Sequence, residues 1–404
     1  MSRFHRRVGD ESGMSYVFVG MGLMAFLSAS MLAIDVGMLM TSRNQAQNSA
    51  DAGALAGAVA LGFDDFNDRS DTGPAKTSAI TAGLANKVMR GNVSVTPADV
   101  VFLPGAGGVM NRVQVTVYRN GARGNPLQNL IARVMWIATA GSVGRETSDI
   151  SAVATAEVSP ANAVACPLPF TIPDRWQEMN DATFDPINSD FDAVDNKGVP
   201  VAVPDRYRGP ENKATYTGYD AIRDAGMPVV LKADNGSKLA PSMYQVWDVE
   251  GQDRGSDDVR AAISGCRTGD VMGYGDYYVH KPGFQAGPVE QGIADLIAQD
   301  PNARWDDRTN KPVSGLAPAR PGDPPPISPR VRVIPLFDPY EYDTGTAGGR
   351  NATLKFVNYL GFYIEGMNGN EVIGRITPVG GMLLGGGFGP APEGAFPIAI
   401  HLVR

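Results

Sequence analysis

The sequence predicts an α+β protein with an N-terminal transmembrane helix that is extended beyond the membrane and is followed by a β-rich region. Residues 14–34 form an apolar run without a charge, and a helical rhythm of small residues continues for several turns after Asp35. Later segments alternate apolar and polar side chains, which is typical of half-buried strands. Gly and Pro number 48 and 30 among 404 residues, which favours strands joined by irregular loops over a helical bundle.

The uncharged run is long enough to cross a membrane. At about 1.5 Å of helical rise per residue, residues 14–34 would span roughly 32 Å, and a hydrocarbon core is about 30 Å thick. Arg3, Arg6 and Arg7 precede the run, whereas Arg43 is the nearest basic residue after it. Because Lys and Arg set the orientation of a span, we expect the N-terminus in the cytoplasm and the rest of the chain outside.

A cleaved signal peptide is the alternative interpretation of this segment. Arg3–Arg7 would be its basic region, residues 14–27 its apolar region, and Ser28–Ser30 a cleavage site with small residues. However, the apolar run continues through Met40, which favours a helix that is retained.

Asp35 and a stripe of small residues indicate contacts of the helix with other elements. Asp35 falls at the outer membrane boundary, where a carboxylate can reach water; a boundary role and a contact with another membrane helix are both consistent with this position. Small residues recur at every fourth position: Ala25, Ala29, Ala33 and Gly37, then Ala46, Ala50, Ala54 and Ala58. In lipid such a stripe lets another helix approach closely, and farther on it suits docking against a sheet, although alanine also simply favours helices. We therefore expect helix association, including self-association, through Ala25, Ala29, Ala33, Asp35 and Gly37.

The stretch LAIDVGMLMTSRNQAQNSADAGALAGA, residues 32–58, resembles the N-terminal segment of TadE/TadG-like proteins of the tight-adherence (Flp) pilus assembly system. The shared pattern is an apolar helix, an "aiDvG" element at Ala33–Gly37, and a polar extension that ends in Ala54–Ala58. The resemblance covers residues 10–62 and extends by pattern to about residue 158. It implies a bitopic protein of the bacterial inner membrane with a pilin-like module and a periplasmic bulk. It also implies pilus assembly or pilin-like membrane proteins as partners, beside the lipid bilayer.

Two features of this family are not matched. Members processed by a prepilin peptidase carry Glu five residues after the Gly of the cleavage site, but the fifth residue after Gly9 is Met14. This argues against processing of that kind. Some larger members carry a metal site of the D-x-S-x-S type; Asp10–Ser15 departs from that spacing and precedes the membrane helix, so we expect no metal there.

We expect four parts of the chain: 1–12 as a cytoplasmic N-terminus, 13–62 as the transmembrane helix and its extension, 63–160 as a small pilin-like α+β domain, and 161–404 as a β-rich extracytoplasmic domain.

Within 63–160 the patterns predict two helices and two strands. The first helix is expected over 75–90, with Pro74 in its first turn and Gly91 as its stop, and the second has Asn125 as N-cap and Pro126 at N1. The strands are expected at 112–119 and 150–158.

The later region shows further strand patterns. The candidates are Val199–Val203, Tyr244–Val249, Val331–Leu336, Leu354–Ile364, Val372–Ile376 and Pro397–Val403. A helix is expected over 288–299 with Pro288 at N1. Residues 312–329 contain seven prolines, and their position between strands favours a long surface loop over a domain boundary.

No constellation of catalytic residues is present in the sequence. The histidines His5, His280 and His401 have no partner at metal-ligand spacing, and Gly380–Gly389 is not followed by the helix that phosphate binding needs, so a flexible loop is expected there. The acidic runs Asn188–Gly198 and Asp248–Asp258 miss the spacing of a Ca²⁺ loop and are better explained as solvated loops. We expect no enzymatic activity and no cofactor. A net charge of −8 without a later basic cluster argues against nucleic acid.

The two cysteines, Cys166 and Cys266, both fall in the part of the chain expected outside the cytoplasm. An oxidising compartment favours a disulfide between them, and each could equally be a small buried hydrophobic residue. We expect the disulfide.

Taken together, these patterns favour an assembly factor or a minor, pseudopilin-like structural component of an Flp pilus. The alternative is a membrane-anchored binding or adhesin-like protein whose C-terminal region recognises a surface.

Overall fold

The computed structural model describes residues 12–403 except 139, 143, 180–182, 196, 221–222, 234–237, 249–254, 266–270, 281–285, 321–324, 345–352 and 386–388. The chain forms two compact units. Unit 1 runs to Val158 and regains the chain from Ile400, and unit 2 is Ser159–Ala399.

The described chain contains both helices and strands, with most of the strands in its second half. The helices are α1 (Ser12–Phe63), α2 (Pro74–Ala85), α3 (Ile131–Ala138), α4 (Ser256–Ser264), α5 (Ala286–Gln299) and α6 (Pro339–Asp343). The strands are β1 (Val100–Leu103), β2 (Arg112–Arg119), β3 (Leu127–Gln128), β4 (Thr147–Ser148), β5 (Ile150–Pro160), β6 (Ala163–Ala165), β7 (Phe170–Pro173), β8 (Pro228–Ala233), β9 (Met243–Asp248), β10 (Val271–Gly273), β11 (Tyr277–His280), β12 (Arg304–Asp306), β13 (Lys311–Val313), β14 (Val331–Phe337), β15 (Thr353–Asn368), β16 (Glu371–Ile376) and β17 (Ile398–Val403). The mixed α+β class expected from the sequence is confirmed.

The second half of α1 packs against α2 and β2 through small residues. Every fourth residue of this half is at most 1% exposed: Ala46, Ala50, Ala54 and Ala58. The facing side of α2 is equally small, since Ala75, Ala79 and Gly83 are its buried residues. With no large side chains between them the two backbones come close, and the Ser49 hydroxyl donates to the Gly83 carbonyl at 2.7 Å. The expected docking of the distal small-residue stripe is confirmed.

The sheet of unit 1 has the order β1-β2-β5-β17. Val113, Val115 and Val117 of β2 are fully buried, and each lies opposite an alanine of antiparallel β5. Because alanine and valine side chains project only a short distance from the sheet, α1 can lie close to this face. The alternation at 112–119 and 150–158 therefore predicted both central strands. The last strand, expected within the β-rich region, instead joins the sheet of unit 1 beside β5.

Two predicted helices in unit 1 have wrong boundaries. α2 ends at Ala85, because residues 88–91 form a tight turn in which Val88 and Gly91 exchange backbone hydrogen bonds and Met89 and Arg90 adopt positive φ angles of 47° and 62°. Val88 is fully buried by this turn. The next helix begins at Ile131 rather than after Asn125.

Unit 2 is built around a closed six-stranded barrel. Its strands pair in the ring β15-β14-β7-β9-β8-β16 and back to β15, and β11 pairs with both β15 and β9. Closure is possible because β15 is 16 residues long: β14 pairs along residues 356–363 of β15, and β16 pairs from Phe362 onward. A barrel has no free edge except where strands diverge, which protects the unit from pairing with other chains.

The helices α4 and α5 pack on each other and extend the core of the barrel. Val259 and Ile263 of α4, with Val289, Ile293 and Leu296 of α5, belong to the same buried cluster as the barrel strands. The helix expected at 288–299 is present but begins at Ala286, two residues before Pro288.

The strand predictions in this region were correct for β9, β14, β15, β16 and β17 and wrong for Val199–Val203. In that segment only Pro200 makes a bridge, with Val194. The reason is local: the Asp195 carboxylate accepts hydrogen bonds from the backbone N–H groups of Lys197 and Val199, which bends the chain into a turn before any ladder can form.

The tight packing of α1 predicts a strong effect of side-chain size at Gly57. A Cβ atom there would lie 2.9 Å from Cγ1 of Val113 and 3.0 Å from Cβ of Ala79. We expect Gly57→Leu to lower the free energy of unfolding of unit 1 by about 1–3 kcal/mol, because the core cannot expand locally. Thermal unfolding of the full-length chain in detergent measures this. Gly22→Leu is the control, since nothing lies within 4 Å of a Cβ at Gly22; equal losses for the two variants would contradict the prediction.

Candidate functional site

Asp35 of α1 caps the N-terminus of α3, which lies almost one hundred residues later in the chain. Its carboxylate accepts hydrogen bonds from the backbone N–H groups of Leu130 at 3.1 Å, Ile131 at 3.2 Å and Ala132 at 2.6 Å. The amides of Ile131 and Ala132 belong to the first turn of α3 and that of Leu130 directly precedes it; N–H groups at this end of a helix have no partner within the helix. A carboxylate satisfies them and also interacts favourably with the helix dipole.

The residues that precede α3 are unavailable as caps. Asn125, the expected N-cap, accepts from the Asn120 N–H at 3.1 Å and donates to the Asn92 carbonyl at 3.2 Å, so it closes the turn after β2. Asn129 donates to the Arg145 carbonyl at 3.0 Å and accepts from the Ser148 hydroxyl at 2.8 Å. Both asparagines are therefore engaged elsewhere, and the cap for α3 comes from α1.

The remaining residues expected to mediate helix association lie exposed on α1. Ala25, Ala29, Ala33 and Gly37 are all solvent-accessible, and a Cβ atom at Gly37 would meet nothing within 4 Å. The stripe therefore has two parts: the distal alanines are buried within unit 1, and the proximal residues are exposed. Asp35 is engaged by α3 of the same chain.

The disulfide expected between Cys166 and Cys266 stays a prediction, because Cys266 lies outside the described residues. Cys166 follows β6, is half-buried and has a φ of 55°. His5 likewise lies outside the described residues.

The glycine-rich segment Gly380–Gly389 and the acidic run Asn188–Gly198 both make structural contacts in unit 2. The side chain of Asn162 donates to the carbonyls of Leu384 and Gly389 and accepts from the Leu384 N–H, so the described part of the glycine-rich segment is anchored rather than free. Asp192 pairs with Lys238 at 2.7 Å. Among the described residues no three His, Cys, Asp or Glu side chains are grouped to hold a metal.

A buried carboxylate network, missed in the sequence, closes one end of the barrel. Asp174 directly follows β7 and Asp338 directly follows β14; these strands are parallel neighbours with Pro173 opposite Phe337. Both carboxylates therefore lie at the same end of the barrel. The signal that could have revealed them is an aspartate directly after an apolar strand, as in FTIPD and VIPLFD.

Asp174 is fully buried and saturated with hydrogen bonds. It accepts from the hydroxyls of Tyr216 at 2.7 Å and Tyr207 at 3.0 Å, and from the backbone N–H groups of Arg175 and Tyr219. Burial raises the pKa of Asp174 to about 6, although these donors oppose the shift. Burial also raises the pKa of Asp338 to about 6. Since Asn358 donates to the Tyr216 hydroxyl at 2.7 Å, the network fastens β15 to the barrel end.

The comparison with protein families matched the N-terminal segment. Residues 13–60 match the family model described as "Putative Flp pilus-assembly TadE/G-like". This segment is a TadE/G-like domain. It comprises nearly all of α1, including Asp35 and both parts of the small-residue stripe. No curated protein and no solved structure matched the chain significantly.

The match covers the N-terminal segment alone, and the remainder of the chain lies outside it. In the part of the chain that the structure describes, no helix meets the length and hydropathy expected of a membrane span.

The cap predicts a local loss of protection when Asp35 is removed. We expect Asp35→Ala to destabilise the first turn of α3 by about 1 kcal/mol and to speed hydrogen exchange at Leu130, Ile131 and Ala132 about fivefold. Hydrogen–deuterium exchange of the full-length chain in detergent measures this. Asp35→Asn should retain most of the protection, because asparagine is also a good cap. Asp51→Ala, which removes only a contact with Gln47 on the helix surface, should leave these amides unchanged; equal exchange in Asp35→Ala and the wild type would contradict the cap.

The buried network predicts a pH dependence of stability. Because the folded-state pKa of Asp174 is about 6 and its ordinary value is 3.8, the folded protein holds this proton more tightly. Its contribution to stability is therefore complete below pH 4 and is lost as the pH rises through about 6. Asp174→Asn keeps the acceptors for the backbone N–H groups and removes the titration. We expect it to reduce the fall in the free energy of unfolding between pH 4 and 7 by on the order of 2 kcal/mol.

Denaturant unfolding of the full-length chain at pH 4, 5, 6 and 7 tests this prediction. The control is Asp307→Asn in the same unit, because the Asp307 side chain is 82% exposed. Parallel stability–pH curves for Asp174→Asn and the wild type would show that the network does not titrate as described.

Proposed function

We propose that the chain is a single-pass protein of the bacterial inner membrane that acts in assembly of an Flp pilus, with its N-terminus in the cytoplasm and both units outside it. The observation that carries this proposal is the TadE/G-like match over residues 13–60, which falls on one 52-residue helix with two different surfaces. The second half of the helix is packed in unit 1. The first half lies exposed and has no charge between Met14 and Ile34.

The exposed apolar side chains of α1 support the membrane anchor. Tyr16 is 80% exposed, and Val19 and Phe26 are each 69% exposed. Exposed apolar surface of this extent is unfavourable in water, whereas contact with lipid carries no hydrophobic penalty for these side chains. Residues 14–34 also have the length that a bilayer requires.

Within the assembly system, a role as assembly factor or minor pseudopilin-like component fits the architecture best. Unit 1 is a helix laid on an antiparallel sheet, which is the order of a pilin-like module, and the exposed small residues of α1 leave a flat surface for a second membrane helix. We assign no enzymatic activity to the chain. Its partners on this proposal are pilin-like or pilus-assembly membrane proteins, and a second copy of itself.

The association surface gives a testable outcome. We expect replacement of both Ala29 and Ala33 by Leu to reduce crosslinking to a pilin-like membrane partner, or to a second copy, severalfold, because bulky side chains hold helix backbones apart. Val36→Leu is the control on the same helix outside the stripe. Unchanged crosslinking of the double variant would exclude the stripe as the interface.

Deletion of the whole protein separates the two candidate functions. An assembly component is needed for pili to form, so cells that lack it should carry no surface pili by electron microscopy, and the full-length protein should restore them. A membrane-anchored adhesin-like protein would leave pili intact while surface attachment is lost. Normal pili in the deletion strain would therefore reject the assembly role and favour the alternative.

A further inference from the structure

The short helix α3 carries an apolar face that unit 1 does not cover. Leu130, directly before the helix, shares this face with Val134 and Ile137, and the three are between 55% and 62% exposed. Trp136, on a neighbouring side of the helix, is 37% exposed. A soluble domain of this size would normally turn such a face inward, because each side chain gains roughly 1.5–3 kcal/mol from burial.

Although exposed, α3 is held firmly in place. Asp35 binds its first turn, and the segment after the helix folds back over it: Gly144 has a φ of 90°, and a Cβ atom there would lie 2.3 Å from the Ala132 carbonyl oxygen. On either side of the α3 segment, β3 before it pairs with β4 after it, with Leu127 opposite Ser148. The exposed face therefore belongs to a segment that is attached at described residues on both sides, by Asp35 before it and by the β3–β4 pair.

The position of the cap places this loop at the end of the uncharged run. Asp35 is the first charged residue after Met14–Ile34, so the amides of Leu130–Ala132 lie beside the turn of α1 where that run stops. The start of α3 thus lies beside the end of the exposed apolar surface of α1.

We propose that α3 lies in the headgroup region of the bilayer, with Leu130, Val134 and Ile137 inserted among the acyl chains and Trp136 beside them at headgroup depth. This inference rests on the proposed membrane anchor. Tryptophan prefers this depth because its ring is apolar and its N–H polar, and amphipathic surface helices bury their apolar faces about 5–10 Å into the same region. The α3 segment thereby fixes how unit 1 stands on the membrane.

The bilayer fits this face better than a second protein copy does. Leu130, Val134 and Ile137 with Trp136 at their side offer far less than the roughly 800 Å² that each partner buries in a stable interface. The flanking charges suit lipid headgroups: Arg145 follows the helix and Arg43 lies two turns beyond Asp35 on α1, and both are exposed. A membrane surface can engage both the arginines and the apolar face.

Fluorescence quenching in liposomes tests the proposal on the full-length protein. The chain contains four tryptophans. Besides Trp136 these are Trp176 and Trp247, which are buried, and Trp305, which is half-buried; all three lie in unit 2. Vesicles of phosphatidylcholine and phosphatidylglycerol with bromine at carbons 6 and 7 of the acyl chains quench only tryptophans close to the interface. We expect partial quenching that disappears in Trp136→Phe. We also expect Asp35→Ala to reduce this quenched component about twofold and Asp35→Asn to retain it.

Each outcome has one meaning. If the Trp136 component is not quenched although the protein resists extraction at alkaline pH, α3 is not in the interface and this inference fails while the anchor stands. If the protein is released at alkaline pH, the anchor fails and the inference with it. Shielding of Trp136 that depends on protein concentration, without quenching by brominated lipid, would show that a second copy covers the face and would also overturn the proposal.

Discussion

The close approach of α1 to α2 and β2 sets the geometry of unit 1, because glycine and alanine leave no side chains to hold these elements apart. Gly53 and Gly57 face the backbone of α2 and the valines of β2 so closely that neither has room for a Cβ atom at ordinary contact distance. The helix is thus positioned by its smallest residues. Any change in its axis would move the sheet, and with it the strand β5 that leads into the rest of the chain.

On the proposed membrane anchor, the part of the same helix before Asp35 would lie in lipid, and the carboxylate would mark the boundary. A charge at this place is costly in lipid and inexpensive at its boundary. The Asp35 carboxylate also accepts hydrogen bonds from three amides at the start of α3. The residue that ends the uncharged run therefore also holds α3 against α1. An electrostatic interaction of modest energy therefore aligns two apolar surfaces, those of the first half of α1 and of α3.

Local patterns in the sequence predicted the elements whose environment is decided by their own periodicity. The small-residue stripe of α1, the alternation of β2 and β5, and the long strand β15 are of this kind. The cap of α3 by Asp35 could not be predicted in the same way, because the local candidate Asn125 looks suitable until its partners in the fold are known. The closure of the barrel and the return of β17 to unit 1 also depend on pairing between distant segments, which periodicity does not encode.

The most direct test of this account is a scan of α1 with nitroxide labels placed one at a time from residue 20 to residue 52, in the full-length protein reconstituted in bilayers. Electron paramagnetic resonance then measures the access of oxygen, which concentrates in lipid, and of a water-soluble nickel complex. The account predicts oxygen access on all faces before Asp35, nickel access beginning just after it, and immobilised labels at Ala46 and Ala50 with mobile ones at Gln47 and Asn48. Nickel access throughout residues 20–34, or the absence of this helical period after Asp35, would contradict a single helix divided between lipid and a packed domain.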